Sequence, residues 1–232
     1  MIIILTSAFF NGNVSADGVV VDKIYHPYVL PNEREVEWRL ISHQKGSSSN
    51  AFNKLGQRFA YGQAISENIM LEGYLVGERN ELGDFSLSAY EIEMRWMLTE
   101  QGQYWADWGL LFEIEKEHQA NNWELTSGLL IEKEFGRTSL TLNAFIIYEW
   151  GEDIFDEMET EFRLKYRYRY IEELQPAIEL YSGENYVGVG PAFMGIHRFN
   201  GQKQLKWEAA FITGLNSESK DHILRVAIEY EF

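Results

Sequence analysis

His222-Ile-Leu-Arg-Val-Ala-Ile-Glu-Tyr-Glu-Phe232 closes the chain. Successive side chains of an extended strand point to opposite sides, so Leu224, Val226, Ile228, Tyr230 and Phe232 share one face. Arg225, Ala227, Glu229 and Glu231 share the other. A strand with one apolar and one charged face has two uses. It packs the apolar face into a core, as half-solvated antiparallel strands do, or it turns that face to lipid, as the strands of a transmembrane barrel do.

The same dyad recurs upstream in segments divided by turn residues. Alternation is expected over 33–41, 53–64, 68–78, 85–98, 104–117, 122–135, 138–150, 156–170, 175–182, 191–199 and 204–214, which with the closing strand makes about twelve. In the fourth segment Tyr90, Ile92, Met94, Trp96 and Leu98 oppose Glu91, Glu93 and Arg95. In the fifth Trp108, Leu110, Phe112 and Ile114 oppose Asp107, Glu113 and Glu115. In the sixth Trp123, Leu125, Leu129 and Ile131 oppose Glu124, Glu132 and Glu134, and in the eighth Phe162, Leu164, Tyr166, Tyr168 and Tyr170 oppose Arg163, Lys165, Arg167 and Arg169. Connections such as 100–103, 135–137 and 200–202 are short and rich in turn formers, and 43–50 reads as a longer polar loop. No segment has the helical period, and no sequence repeat is present.

The fold class expected is all-β: a closed antiparallel transmembrane barrel of about twelve strands with short turns. An even count brings the first and last strands to the same side, and both termini are expected to be periplasmic. That direction places Tyr61, Trp96, Trp108, Tyr166, Tyr168, Tyr170, Tyr230 and Phe232 at one lipid-facing rim and Trp123, Tyr148 and Trp150 at the other, two aromatic girdles. The competing arrangement is a soluble eight-stranded barrel with the pattern turned inside out, Trp96, Phe112 and Leu142 filling its interior. Three features oppose it. The apolar faces are long enough to cross lipid at a tilt, the strand count exceeds eight, and the leader points to export. That leader is the apolar run 1–10 followed by Val14-Ser15-Ala16. It reads as a signal peptide over 1–16, though no Lys or Arg precedes it. An irregular extension follows over 17–32, containing His26-Pro27-Tyr28 and Pro31, and then a single barrel domain over 33–232.

The chain has 232 residues, no cysteine and a net charge of −16. Disulfides and thiolate metal sites are therefore excluded. Nucleic acid is not an expected partner, since phosphate binding needs surplus Lys and Arg. No stretch approaches the roughly 18 apolar residues of a membrane helix, so a membrane location has to come from strands.

With the apolar face in lipid, the charges line the lumen: Glu91, Glu93, Arg95, Glu113, Glu115, Glu132, Glu134, Arg163, Lys165, Arg167, Arg169, Arg225 and Glu229, joined by Glu35, Glu37, Glu72, Glu149 and Glu231. The four same-face cations from Arg163 to Arg169 repel one another unless they meet carboxylates or an anion. They are read either as a track for a small polar or anionic solute or as one half of a salt-bridge lattice filling a non-conducting barrel. Tyr74, Leu111, Leu130, Phe145 and Ile147 also face inward and narrow the lumen. No catalytic motif is present, and no cofactor or metal is expected. His43, His118 and His222, the last beside Asp221, fall at strand ends and are the residues from which a hydrolytic site would have to be built.

The alternating final strand ending on Phe232 resembles the closing strand of Gram-negative outer-membrane β-barrel proteins, where it serves as an assembly signal. The resemblance extends over the leader and 33–232. At the level of fold it is similar to small twelve-strand channels for acidic sugars or nucleosides. It implies residence in the bacterial outer membrane as a monomer, contact with lipid and lipopolysaccharide, and insertion by the barrel-assembly machinery. It carries no residue over as a substrate ligand.

Overall fold

The computed structural model describes residues 20–44, 54–79, 83–152, 154–201, 203–216 and 222–232. The leader, the start of the extension, most of the polar loop 43–50 and Asp221 lie outside them. Twelve strands follow one another: β1 (Arg34–Gln44), β2 (Lys54–Ala64), β3 (Ile69–Arg79), β4 (Phe85–Met97), β5 (Asp107–Glu117), β6 (Asn122–Phe135), β7 (Thr138–Gly151), β8 (Glu157–Tyr168), β9 (Gln175–Ser182), β10 (Val187–Arg198), β11 (Gln204–Gly214) and β12 (His222–Glu231). Each pairs antiparallel with its neighbours in sequence. β1 pairs with β12, Glu35 opposite Glu231, so the sheet closes into a barrel with no free edge.

Period-two alternation sets which face is which. Ile92 is 60% exposed and Glu93, the next residue, 0%. The apolar stripes form the outer surface, where Phe59, Leu75, Ile146, Phe162, Ile178 and Phe211 are all exposed. The inside-out arrangement is thereby excluded: Trp96 is an exposed outer residue, and Phe112 and Leu142 stand in line with the exposed Ile114 and Ile146 of their strands.

Strand bounds depart from expectation where local chemistry intervenes. β5 starts at Asp107 rather than at 104, because the chain before it is a turn. There Gly102, at φ +75°, donates its N–H to Asp107 Oδ1, and Trp108 N–H donates to Thr99 Oγ1. β8 ends at Tyr168, two positions early. β10 starts at Val187, ahead of the expected Pro191, since proline is tolerated where a ladder bond is not needed. Its pairing with β11 is interrupted at Gly190 and Pro191. At Gly190 a side chain would strike the Phe211 carbonyl, so the close backbone approach requires glycine there.

β1 begins and β12 ends at one mouth, called here the C-terminal mouth; the opposite one is the far mouth. Tyr61, Trp96, Trp108, Tyr166, Tyr168, Tyr170, Tyr230 and Phe232 lie toward the first, with Tyr230 stacked on Phe232 at 5.8 Å. Trp123, Tyr148 and Trp150 form a stack at the second, with centroids 6.4 and 5.5 Å apart.

Candidate functional site: an occluded, charged lumen

The lumen holds residues 20–32 of the extension. Val20 to Asn32 is rich in β-branched residues and carries two prolines, a composition that favours an extended, non-helical chain. It runs the length of the barrel. Val20 packs against Gly183, in the β9–β10 connection at the far mouth, where an added Cβ would meet it at 2.9 Å. Tyr28 Oη donates to Asp107 at 2.8 Å, where β5 begins at the C-terminal mouth. The chain then turns through Pro31 and Asn32, with Asn32 at φ 62°, a left-handed conformation that asparagine tolerates, and enters β1. Residue 20 thus lies at the mouth opposite Phe232.

A backbone buried in this way must bond to something, and wall side chains supply the partners. Asn143 donates its Nδ2 to the Tyr25 carbonyl at 2.9 Å and accepts from Tyr25 N–H at 2.7 Å. Arg163 donates to the Lys23 carbonyl and Tyr181 Oη to the Asp22 carbonyl, both at 2.9 Å. Charged side chains add to these. Arg39 holds Asp22 at 2.6 Å, Lys23 bridges Glu37 and Glu229, and His26 meets Glu132.

Around the extension the inward residues make a core of the kind found in soluble proteins. Val21 and Ile24 are buried with Ile41, Tyr181, Met194, Ile212 and Ile223. Tyr25 is buried with Leu111, Leu130, Phe145 and Ile147, its ring edge-on to Phe145 at 6.4 Å. Phe145 has room because residue 128 across the strand pair is glycine; a side chain there would overlap its ring. Leu111, Leu130, Phe145 and Ile147 therefore grip a plug instead of merely narrowing an open pore, whereas Tyr74 packs with Ala60, Val76 and Ala89 of the wall.

The charged residues named from sequence are inside, and most are paired. Arg163 bonds Glu161 at 2.7 Å, Lys165 meets Glu208 at 3.2 Å, Arg167 meets Glu132 at 3.2 Å, and Arg169 meets Glu134. Arg225 reaches Glu179 at 2.8 Å and Glu208 at 2.9 Å. Arg95 lies 3.6 Å from Glu72, and Glu229 is shared between Lys23 and Lys206. Arg58 joins Glu91, with Glu115 3.9 Å away. Glu93 and Glu113 have no salt bridge to a described residue. Sequence reasoning did not single out Asp22, Lys23, Tyr25, Arg58, Asn143, Glu179, Tyr181 or Glu208. Asn143 carried no distinct signal, since Ser139 and Thr141 on the same face of β7 are polar as well.

The lumen is not filled throughout. A cavity of about 660 Å³ lies between the plug, at Asp22 and Tyr25, and the far mouth, at Glu117, Trp123 and Glu149. Carboxylates outnumber basic side chains in its wall. Glu91, Glu115, Glu124, Glu149 and Glu157 stand directly opposite one another from β4 to β8, an unbroken acidic row. Like charges in such cross-strand pairs repel.

The three histidines form no common site. His222 is exposed on the outer face, stacked on Phe211 at 5.5 Å, and His43 lines the cavity from the neighbouring strand. His118 follows β5 and sits edge-on to Tyr90 at 5.4 Å.

The architecture is similar to solved membrane channels. An outer membrane channel from Pseudomonas putida F1 superposes at TM-score 0.63 with 13% identity, over 91% of this chain and all (100%) of that one. The KdgM porin, solved in complex with disordered oligogalacturonate, superposes at 0.58 with 10% identity, over 85% of this chain and 99% of its own. The fold is that of the outer-membrane β-barrels. The translocator domain of the autotransporter NalP from Neisseria meningitidis is similar at 0.50 and 10% identity, over 88% of this chain and 90% of that one. No protein-family model matches the sequence, and no curated protein sequence matches it.

Proposed function

We propose that the protein is a bacterial outer-membrane channel that is shut at rest by its own residues 20–32 and favours cations when open. The observation that carries this is the extension in the lumen. It is held by side-chain bonds to its backbone, which can be exchanged for water one at a time, and not by strand pairing. The exposed apolar belt and the two aromatic rims support a membrane location, with the C-terminal mouth periplasmic. Outer-membrane lipid and lipopolysaccharide are then its surroundings, the barrel-assembly machinery inserts it, and it acts as a monomer.

The sequence suggested a small polar or anionic solute, or else a salt-bridged filled lumen, because Arg163, Lys165, Arg167 and Arg169 share a face. Each of the four has a carboxylate partner, so little free positive track remains. The cavity wall is acidic, and an acidic wall concentrates cations. The test is the reversal potential of refolded protein lacking residues 20–31 in a planar bilayer under a potassium chloride gradient. Cation preference is expected, weakened in Glu115→Gln plus Glu124→Gln. Anion preference would return the case to the basic strand. A second reading, a barrel that never opens, is favoured by the density of ion pairs around the plug.

A further inference from the structure

Carboxylates converge at several places in the lumen, and one such group lies beside the open cavity. Glu91 and Glu93 are two apart on β4 and so share the lumen face, and Glu113 on β5 stands directly opposite Glu93. One carboxylate oxygen from each of the three lies within 4.8 Å of the other two. Glu93 is fully buried; its hydrogen-bonding neighbour is the Glu72 carboxyl opposite it on β3, and neither of its oxygens has a nitrogen or hydroxyl donor as partner. The Oε1 atom of Glu91, also buried, has none. Arg58 reaches Glu91 but is shared with Asp22, 3.7 Å away, and Glu115. Three carboxylates thus converge, and the guanidinium groups near them, Arg58, Arg39 and Arg95, are shared with Asp22, Glu37, Glu72 and Glu115. Burying an unpaired carboxylate is costly, and burying three that face one another more so, unless a positive ion stands between them.

We infer that Glu91, Glu93 and Glu113 form a binding site for one divalent cation of the hard, oxygen-seeking kind, calcium in particular. The donors are all carboxylate oxygens, which suit calcium and magnesium over zinc or copper. Calcium accepts six to eight oxygens in irregular arrangements, so mono- or bidentate carboxylates leave positions for water. Water has a route in, because Glu113 lines the open cavity. Tyr25 of the plug lines the same cavity, so the ion binds on the vestibule floor beside the plug. The site is independent of whether the channel conducts.

The experiment is calcium titration of the full-length refolded protein in detergent after chelator treatment, by calorimetry and by the thermal unfolding midpoint. One equivalent of saturable binding is expected, with a rise in midpoint. Glu93→Gln removes one of the repelling charges and is expected to fold. It should unfold at a higher temperature than wild type in chelator and lose at least about tenfold in calcium affinity. Glu184→Gln alters a separate acidic cluster at the rim and should leave affinity unchanged. Absence of calcium binding by the wild type would overturn the site. So would binding that survives Glu93→Gln or disappears in Glu184→Gln.

Discussion

Arg225 sits on the closing strand with 1% of its side chain exposed and holds Glu179 on β9, which is fully buried, and Glu208 on β11. Its value lies less in attraction than in what its loss would leave behind. Replacing it with methionine strands the Glu179 charge in the barrel wall, a change that costs about 3–5 kcal/mol. Urea unfolding of the refolded protein should show this loss, and a variant as stable as wild type would mean that the pair is not buried in the folded state. On the opposite face of the same strand, Ile228→Arg should cost about 2–4 kcal/mol if that position lies near the middle of the bilayer. The heat-modifiable band on a gel, which reports folded barrel, should weaken accordingly. Which residues share a face was legible in the sequence, because strand periodicity fixes it, and the length of the apolar stripes, the strand count and the leader pointed to lipid on the apolar side. The partner was not. Arg225 meets a residue on a strand that is not its neighbour, and such a contact depends on how tightly the wall curves.

Among the elements, the strands were readable to within a few residues, and the extension was not. Alternation announces a strand, whereas Val20–Asn32 has no period, and its prolines made it an irregular tail that the sequence left free to lie inside or outside. Its place is decided by complementarity with the wall, where Asn143, Arg163 and Tyr181 bond its carbonyls. Asn143→Ala removes the bonds to both the carbonyl and the N–H of Tyr25, at about 0.5–1.5 kcal/mol each, and leaves the barrel pairing untouched. The open fraction of the channel should rise roughly fivefold to a hundredfold, since 1.4 kcal/mol is a factor of ten. Single-channel records that match wild type would show that this clasp does not hold the plug. The closing strand makes its own prediction. Phe232 bonds back to Arg34 through its backbone N–H at 2.9 Å, completing the β1–β12 seam. Its deletion should lower the yield of folded protein in cells, and an unchanged yield would remove Phe232 from the assembly signal.

At the scale of the whole molecule, the barrel combines two kinds of interior. One half is packed like a soluble protein around the extension; the other opens as an acidic vestibule onto the far mouth. A closed channel and a permanently filled barrel share this architecture. They differ only in whether the plug leaves. The most direct test is single-channel recording of the whole protein beside a chain lacking residues 20–31, both verified as folded barrels by heat-modifiable mobility. A plugged lumen predicts a wild type that is closed for most of the record, with rare openings to the level that the shortened chain holds steadily. Equal, steady conductance in both proteins would contradict it, because the extension would then not occupy the path.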